Sequence, residues 1–298
     1  MTERPGPVLV TGTSSGIGRR ITESLSEQGH EVLAAVRKKS DMASLAKLPH
    51  VTPLLLDVTR EDSIRESIRV IHTAGRGLYG LVNNAGIGDL APLLDTSVEE
   101  LGYLLNVNLY GMHRMVRACF PFLMKAHGRI VNIGSINGVY PEEYAGAYCI
   151  SKYAVEAYTD VLGKEFAPLG IKVSVVEPGG FRSNISSSFF TRKGDAITTA
   201  FEKSPFREAM RKYYVELQTT PGEVDRSKYP DPRPVAEAVL DALFSKDPKR
   251  RYLVGSREET DAAVTQVMRL LAQLNQRHEH SLTADELSKR LRATVSEL

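Results

Sequence analysis

Tyr148 and Lys152 are the two side chains on which chemistry in this chain can turn. They stand four apart in Tyr148-Cys149-Ile150-Ser151-Lys152, inside a run from Gly146 to Phe166 whose spacing of Ala147, Ile150, Val155 and Val161 predicts a helix. Residues four apart on a helix share a face, one turn above the other. A free tyrosine titrates near ~10 and is a poor acid or base at neutral pH. A lysine ammonium one turn away favours the phenolate and is expected to lower that value. Such a phenol can pass a proton to or from an alcohol or ketone oxygen. The other reading is a phenol resting on a neighbouring alkyl stem. Whether a cofactor site lies upstream separates the two.

Upstream, Val8-Leu9-Val10 is a short apolar run of the kind that forms a buried parallel strand. Thr11-Gly12-Thr13-Ser14-Ser15-Gly16-Ile17-Gly18 follows at once, and then Arg19 to Gln28, with Ile21 and Leu25 at helical spacing. A strand, a glycine-rich turn and a helix make a cradle in which a pyrophosphate meets the positive helix N-terminus. The alternative, a turn that needs glycine for its backbone alone, is weakened by that order of elements. Val32 to Val36 is a second strand, and Arg37-Lys38-Lys39 follow it. In a dinucleotide fold the end of this strand meets the adenosine ribose, where an acidic side chain would repel a 2′-phosphate. Basic residues there point to NADP(H) rather than NAD(H), with Arg37 on the 2′-phosphate.

The alternation continues. Thr52 to Leu56 is a third strand ending in Asp57-Val58; Asp57 either reaches an adenine amino group or caps the helix from about Arg60 to Ala74. Leu81-Val82 leads into Asn83-Asn84-Ala85-Gly86, where asparagines can hold neighbouring strands through bonds to backbone. Val98 to His127 reads as one long helix with Leu101, Leu105, Leu109, Met112 and Val116 as its stripe. Asn106 and Asn108 interrupt it, which predicts a kink or a bound water. Arg129 to Ile133 is strand five, and Ser135 just past it lies where ligands bind in an open α/β sheet. Lys172 to Val176 is strand six, closed by Glu177-Pro178-Gly179-Gly180. The pattern is that of a parallel, doubly wound sheet. It breaks between Phe181 and Tyr229, a segment expected to form a substrate lid with a helix from Thr198 to Leu217. Val235 to Phe244 is a further helix and Arg251 to Val254 a last strand. Beyond residue 255 a tail carries two charged amphipathic helices, Glu258 to Asn275 and one opened by the capping box Thr283-Ala284-Asp285-Glu286. They can pad the domain edge, cover the cleft or contact a second subunit.

Composition narrows the field. The chain has 298 residues, 42% hydrophobic and 25% charged, with a net charge of +2. Without a basic excess, nucleic acid is not expected as a partner. No apolar run spans a bilayer, and the expectation is a cytoplasmic protein. Cys119 and Cys149 suit a reducing compartment without a disulfide, and neither has neighbours at metal-ligand spacing, so no metal is expected.

With these residues in order, the chain resembles the short-chain dehydrogenases/reductases from about Val8 to Val254, and in its lid and its Arg251-Tyr252-Leu253-Val254-Gly255 resembles their retinol and 17β-hydroxysteroid dehydrogenase branch. The resemblance implies a single Rossmann domain with a seven-stranded parallel sheet over residues 1–255, the lid at 181–230, and the tail of 256–298 as an extension. It implies that Tyr148 is the acid/base, that Ser135 hydrogen-bonds the substrate oxygen, and that Lys152 binds the nicotinamide ribose and lowers the tyrosine pKa. Asn108 matches the asparagine that positions a relay water, with Asn106 a competing candidate. Thr11, Gly12, Ser14, Ser15, Gly16, Ile17 and Gly18 match the cofactor turn; Asp57 and Val58 the adenine contact; Asn84, Ala85 and Gly86 the strand-four contacts. Pro178, Gly179 and Ser183 match the segment that holds the nicotinamide amide, with serine in place of threonine. Members of that branch act on bulky lipophilic alcohols and ketones, and the family's long helices pair into homodimers or homotetramers.

The expected function is therefore an NADP(H)-dependent oxidoreductase interconverting an alcohol and its ketone or aldehyde. Phe181, Ile185, Phe189, Phe190, Tyr140 and Tyr144 either line a pocket for a lipophilic substrate or form the lid's own core. Two other readings stand beside it. A nucleotide-sugar epimerase or dehydratase shares Tyr-x-x-x-Lys, but the glycine spacing and Asn-Asn-Ala-Gly argue against it. A non-catalytic NADP(H)-binding sensor or scaffold is opposed by the intact Ser135, Tyr148 and Lys152.

Overall fold

The computed structural model describes residues 5–185, 203–216, 228–276 and 278–297. Seven short runs of Val, Leu, Ile and Ala form one parallel sheet: β1 (Val8–Thr11), β2 (Val32–Val36), β3 (Val51–Leu55), β4 (Gly80–Asn83), β5 (Arg129–Ile133), β6 (Lys172–Pro178) and β7 (Arg251–Val254). Their order is β3-β2-β1-β4-β5-β6-β7, and every pairing is parallel, as the alternation of elements predicts. The central runs of β1, β2 and β4 lack polar alternation, as a sheet covered on both faces requires, whereas edge strand β3 is partly exposed. Successive side chains feed opposite layers. Leu9, Leu81, Ile130 and Val173 pack with residues of α3 (Glu61–Ala74), α5 (Met112–Ala126) and α6 (Gly146–Phe166). Val8, Val10, Val82, Val131 and Ile133 pack with α1 (Gly16–Glu27), α2 (Lys39–Leu45) and α8 (Arg233–Phe244). Strand order reverses direction between β1 and β4, so the connections leave in opposite directions there and a crevice opens at the strands' C-terminal ends.

The helix expected over 98–127 is broken in the middle. α4 (Val98–Leu105) gives way to a π-helical turn at Asn106–Gly111 before α5 resumes. A π-turn shifts the register of the buried face: Met112 and Val116 of the expected stripe are buried, with Leu104, Val107, Met115, Cys119 and Leu123 beside them, whereas Leu101, Leu105 and Leu109 are only partly buried. On α6 the spacing reading misplaces two residues: Ile150 and Val161 are exposed, and the buried face carries Ser151, Lys152, Glu156 and Thr159 beside Ala147 and Val155. Of the helix expected at 198–217, residues 198–202 and 217 lie outside the described residues; the described part is helical only as α7 (Arg207–Glu216), after turns at 203–206.

The tail forms α9 (Arg257–Leu274) and α10 (Ala284–Ser296), both opened by capping boxes, Ser256 with Glu259 and Thr283 with Glu286. It does not pad the sheet. Ala263 is the one buried residue reported for α9, α10 has none, and Val264, Val267, Leu270, Leu271 and Leu274 are exposed. No helix among the described residues is long and apolar enough to cross a membrane.

The central strands are tied to α6 by buried amides. Asn83 Nδ2 donates to Asn132 Oδ1 (2.9 Å), Asn132 Nδ2 donates to Thr159 Oγ1 (2.9 Å), and Thr159 Oγ1 donates to Val155 O (2.7 Å). Asn132→Ala leaves Asn83 Nδ2 without its acceptor in a dry interior and Thr159 Oγ1 with only its bond to Val155 O, and should lower stability by about 2–3 kcal/mol in urea unfolding. A loss below about 0.5 kcal/mol, the range of surface substitutions, would show that the relay does not hold the sheet to α6.

Candidate active site

The crevice is built first by β1 and β4. Thr11 Oγ1 accepts from Asn84 N and Ala85 N (both 3.0 Å), while Asn84 Nδ2 donates to Thr11 O (2.8 Å) and Gly12 O (3.1 Å). These bonds draw the two strand ends so close that a Cβ on Gly18 would lie 2.3 Å from Asn84 Nδ2 and from Gly12 O. Gly12 and Gly16 hold left-handed φ values of 72° and 58°, which glycine adopts without strain. α1 starts at Gly16 with Ser15 as N-cap, no side-chain cap bond and no acidic residue in its first turn. Its free N–H groups and positive end suit an anion. Ser14 is exposed beside them. The residues present therefore fit a dinucleotide pyrophosphate, with Ile17 and Gly18 in the first helical turn.

At the far end of the cradle Val36 is buried and Arg37 exposed, and the Arg37 guanidinium makes no ion pair among the described residues. Asp57 does not cap α3, whose N-cap is Arg60. Its Oδ1 accepts instead from Thr59 N (2.9 Å) and Thr59 Oγ1 (2.7 Å), and Val58 is buried against Gly111. Gly86 is exposed at the mouth. Pro178 ends β6, Gly179 N donates to Val254 O (2.8 Å), and Ser183 lies on the glycine turn, 3.0 Å from where a Gly16 Cβ would stand. Three arginines that motif reading passes over, Arg19, Arg20 and Arg182, line a cavity of about 230 Å³ with Ser15, Gly16 and Ser183.

The two asparagines of the π-turn separate cleanly. Asn106 Oδ1 accepts from Arg114 Nη2 (2.9 Å) on the outer side. Asn108 is buried; its Oδ1 accepts from Ile87 N, and its Nδ2 donates to Ile87 O and to Ser151 Oγ, all at 2.9 Å. Asn108 thus joins the loop after β4 to the residue preceding Lys152.

Ser135 caps a short turn at Ile136–Gly138, its Oγ accepting from Asn137 N (3.2 Å) and donating to Asn137 Oδ1 (3.4 Å), and its side chain lies near enough to the Tyr148 phenol to act on its titration. Lys152 is buried one turn along α6; its Nζ donates to Ile133 O (2.9 Å) and lies 5.6 Å from the centre of the Tyr148 ring. The three side chains converge at the ends of β5 and α6. The electrostatics differ from the expectation of a lowered tyrosine. Burial pushes the Tyr148 phenol up to about 12, with the nearby Ser135 side chain acting the other way. Burial also draws Lys152 down to about 8, opposed by Glu156. An ammonium itself short of water and engaged by a carbonyl does not offset the phenol's own desolvation.

Glu156, one turn beyond Lys152, opens a cluster not anticipated from the sequence. It and Glu177 are buried, and Arg251 Nη1 bonds both, while its Nη2 reaches Asp160 Oδ2 at 2.6 Å. Burial, then the charge of Glu177, pushes Glu156 up to about 8, with Arg251 opposing. Of the aromatic candidates, Phe181 packs on the core below β6, and Tyr144 meets Phe206 (6.4 Å) and Tyr213 (5.3 Å) edge to face. Ile185 sits on Gly88. Tyr140 is partly buried, and Phe189 and Phe190 lie outside the described residues.

Residues 7–194 match the family described as short chain dehydrogenase. The chain belongs to this family. It is an oxidoreductase of alcohol and carbonyl groups. It is 33% identical over 254 residues to retinol dehydrogenase 16 of Mus musculus, covering 83% of this chain and 80% of that protein. It is 34% identical over 260 residues to the mitochondrial D-beta-hydroxybutyrate dehydrogenase of Bos taurus, covering 82% and 75%. A solved short-chain dehydrogenase from Streptomyces avermitilis superposes with a TM-score of 0.76 at 27% identity, covering 93% of this chain and 97% of that one.

The raised Glu156 carboxyl fixes a pH dependence of stability. A carboxyl held near 8 in the folded chain and near its ordinary value when unfolded binds its proton more tightly when folded, so its contribution is full at low pH and is lost as pH rises through about 8. The melting temperature should fall between about pH 5 and pH 8, and Glu156→Gln should flatten that slope. An unchanged slope in the variant would place the titration elsewhere.

Proposed function

We propose that this dehydrogenase is an NADP(H)-dependent enzyme that interconverts an alcohol and its ketone or aldehyde, with Tyr148 as acid/base. The observation that carries the reading is the Tyr148 phenol, beside the Ser135 side chain and one turn from buried Lys152, whose Nζ lies 5.6 Å from the phenol ring centre. Thr11, Gly12, Gly16, Ile17, Gly18, Asn84 and Ala85 would hold the dinucleotide at its pyrophosphate side, and Pro178, Gly179 and Ser183 at its nicotinamide. The cofactor, when bound, supplies or takes the hydride.

The chain's own share is orientation and proton movement. In the reducing direction Ser135 donates a hydrogen bond to the carbonyl oxygen and stabilises the charge that grows there. Tyr148 gives its proton to that oxygen. A phenol that titrates near 12 in the free chain is protonated at neutral pH and ready to act as the acid. Lys152, held by Ile133 O, stabilises the phenolate left behind. Asn108 fixes the position of Ser151, and through it the start of α6. Both N–H groups of the Asn108 side-chain amide are already engaged within the chain. A lipophilic substrate is supported by the apolar and aromatic side chains of Tyr140, Tyr144, Ile185, Phe206 and Tyr213, and by the likeness to a retinol dehydrogenase. The likeness to a hydroxybutyrate dehydrogenase favours a second reading, a small hydroxy acid, for which Arg182 near the glycine turn would be the counter-charge. Exposed Tyr103 and Tyr110 on the α4–α5 side, and Ile150 and Val161 on α6, support pairing of subunits through these helices.

On a panel of retinoid, steroid and long-chain ketones set beside small hydroxy and keto acids, turnover should follow the lipophilic members. Tyr148→Phe should reduce it by about 10²–10⁴-fold with cofactor affinity kept. Near-normal turnover in Tyr148→Phe contradicts the role, and activity confined to the small acids moves the substrate to the second reading. For the cofactor, the dissociation constant should be lower for NADPH than for NADH, and Arg37→Ala should raise that for NADPH by about tenfold with little change for NADH. Preference for NADH refutes it.

A further inference from the structure

The tail that matches no part of the cofactor or catalytic motifs reaches the cleft through one carboxylate. Glu259 lies in the first turn of α9, 79 residues beyond Gly180. Its Oε1 accepts from Gly180 N at 2.7 Å and its Oε2 from Ser256 N at 2.7 Å, while its own N–H donates to Ser256 Oγ at 3.2 Å. The Ser256 bonds are an ordinary capping box and explain half of the carboxylate. The Gly180 bond belongs to no cap. It fastens the backbone that follows β6 to a helix lying after β7.

The surroundings are shaped for that carboxylate. A Cβ on Gly179 would stand 2.6–2.7 Å from three carboxyl atoms of Glu259, one on Gly180 would stand 3.2 Å from Oε1, and one on Gly255 would stand 3.0 Å from Oε2. None of these glycines has a positive φ, so backbone conformation does not require them. The space taken by Glu259 does. α9 also lies against the turn Ile136–Gly138 that Ser135 caps. Burial pushes the Glu259 carboxyl up, and the donors at Gly180 and Ser256 outweigh it, so the group stays ionised and below the ordinary value.

We propose that Glu259 is a positioning residue for the nicotinamide end of the cofactor site: it fixes Pro178-Gly179-Gly180 in the conformation that receives the nicotinamide amide, and so makes the C-terminal extension part of the site. The role rests on the function proposed above. Glu259 touches neither substrate nor cofactor; it acts through the Gly180 amide. A charge-assisted bond to a backbone N–H in a partly dry position holds a two-glycine segment that would otherwise sample many conformations. Ordering that segment before the cofactor arrives improves affinity without altering the chemical step.

The test uses the full chain. Hydrogen exchange over residues 177–183 without cofactor, and titration with NADP+, are measured for wild type, Glu259→Gln and Ser256→Ala. Glutamine keeps the volume but cannot accept on both sides. It should speed exchange at Gly180 and raise the dissociation constant, each by about tenfold, with kcat at saturating cofactor little changed. Ser256→Ala loosens the cap, leaves the Gly180 bond, and should stay near wild type in both readouts. Glu259→Gln at wild-type exchange and affinity overturns the role, and so does Ser256→Ala matching it, which would make Glu259 a helix cap alone. If Glu259→Gln does not fold, Gly179→Ala in wild-type and Glu259→Ala backgrounds replaces it: the added methyl should harm cofactor affinity only where the carboxylate remains, and equal harm in both overturns the role. A wild-type chain that binds no nicotinamide dinucleotide overturns the functional reading and this role together, whereas binding with an indifferent Glu259 overturns this role alone.

Discussion

The site depends on the joining of β1 to β4 by Thr11 and Asn84. Parallel strands whose order reverses must part at their C-terminal ends, and the gap would be filled by side chains if the turn after β1 carried them. Instead one hydroxyl and one amide bind the two strand ends through backbone groups. The approach they enforce leaves no room for a Cβ at Gly18. The N-terminus of α1, without side-chain cap or nearby acid, then faces the gap with its donors free. Every other part of the site is placed relative to this seam: Ser135 at the end of β5, Pro178 at the end of β6, and Tyr148 and Lys152 on the helix that lies across both.

Around that seam the charges are arranged in depth. Tyr148, Lys152 and Glu156 follow one another at single turns of α6, passing from the cleft into the interior, where Glu177 and Arg251 close the series. Each member is buried enough that its ionisation answers to its neighbours. The phenol is protonated, the ammonium is weakened, and the glutamate pair is held by one guanidinium. The result is a site whose parts keep their protons until something else enters.

Much of this was legible because it is local. Strands announced themselves as short apolar runs, the cradle as glycines between a strand and a helix, the first tail helix as an amphipathic spacing and the second as a capping box, and the break in the long helix as two asparagines where helix formers belong. Ile150 and Val161 were misjudged because spacing alone does not say which face of an all-round apolar helix is covered; here the buried face holds Ser151, Lys152, Glu156 and Thr159. The fall in the tyrosine's pKa was expected from a neighbouring charge, and desolvation, which depends on everything packed around the phenol, decided otherwise. The partners of Glu156 and Glu259 lie 95 and 79 residues away, beyond anything a local pattern encodes. Arg251-Tyr252-Leu253-Val254 was readable as a strand, yet not as the source of the guanidinium that two buried acids share.

The most direct measurement is a crystal structure of the chain with NADP+ bound. The account predicts the pyrophosphate on the N–H groups of Gly16, Ile17 and Gly18, and the nicotinamide ring beside the hydroxyls of Tyr148 and Ser135. A dinucleotide seated away from the glycine turn, or a ring facing away from Tyr148, would contradict it.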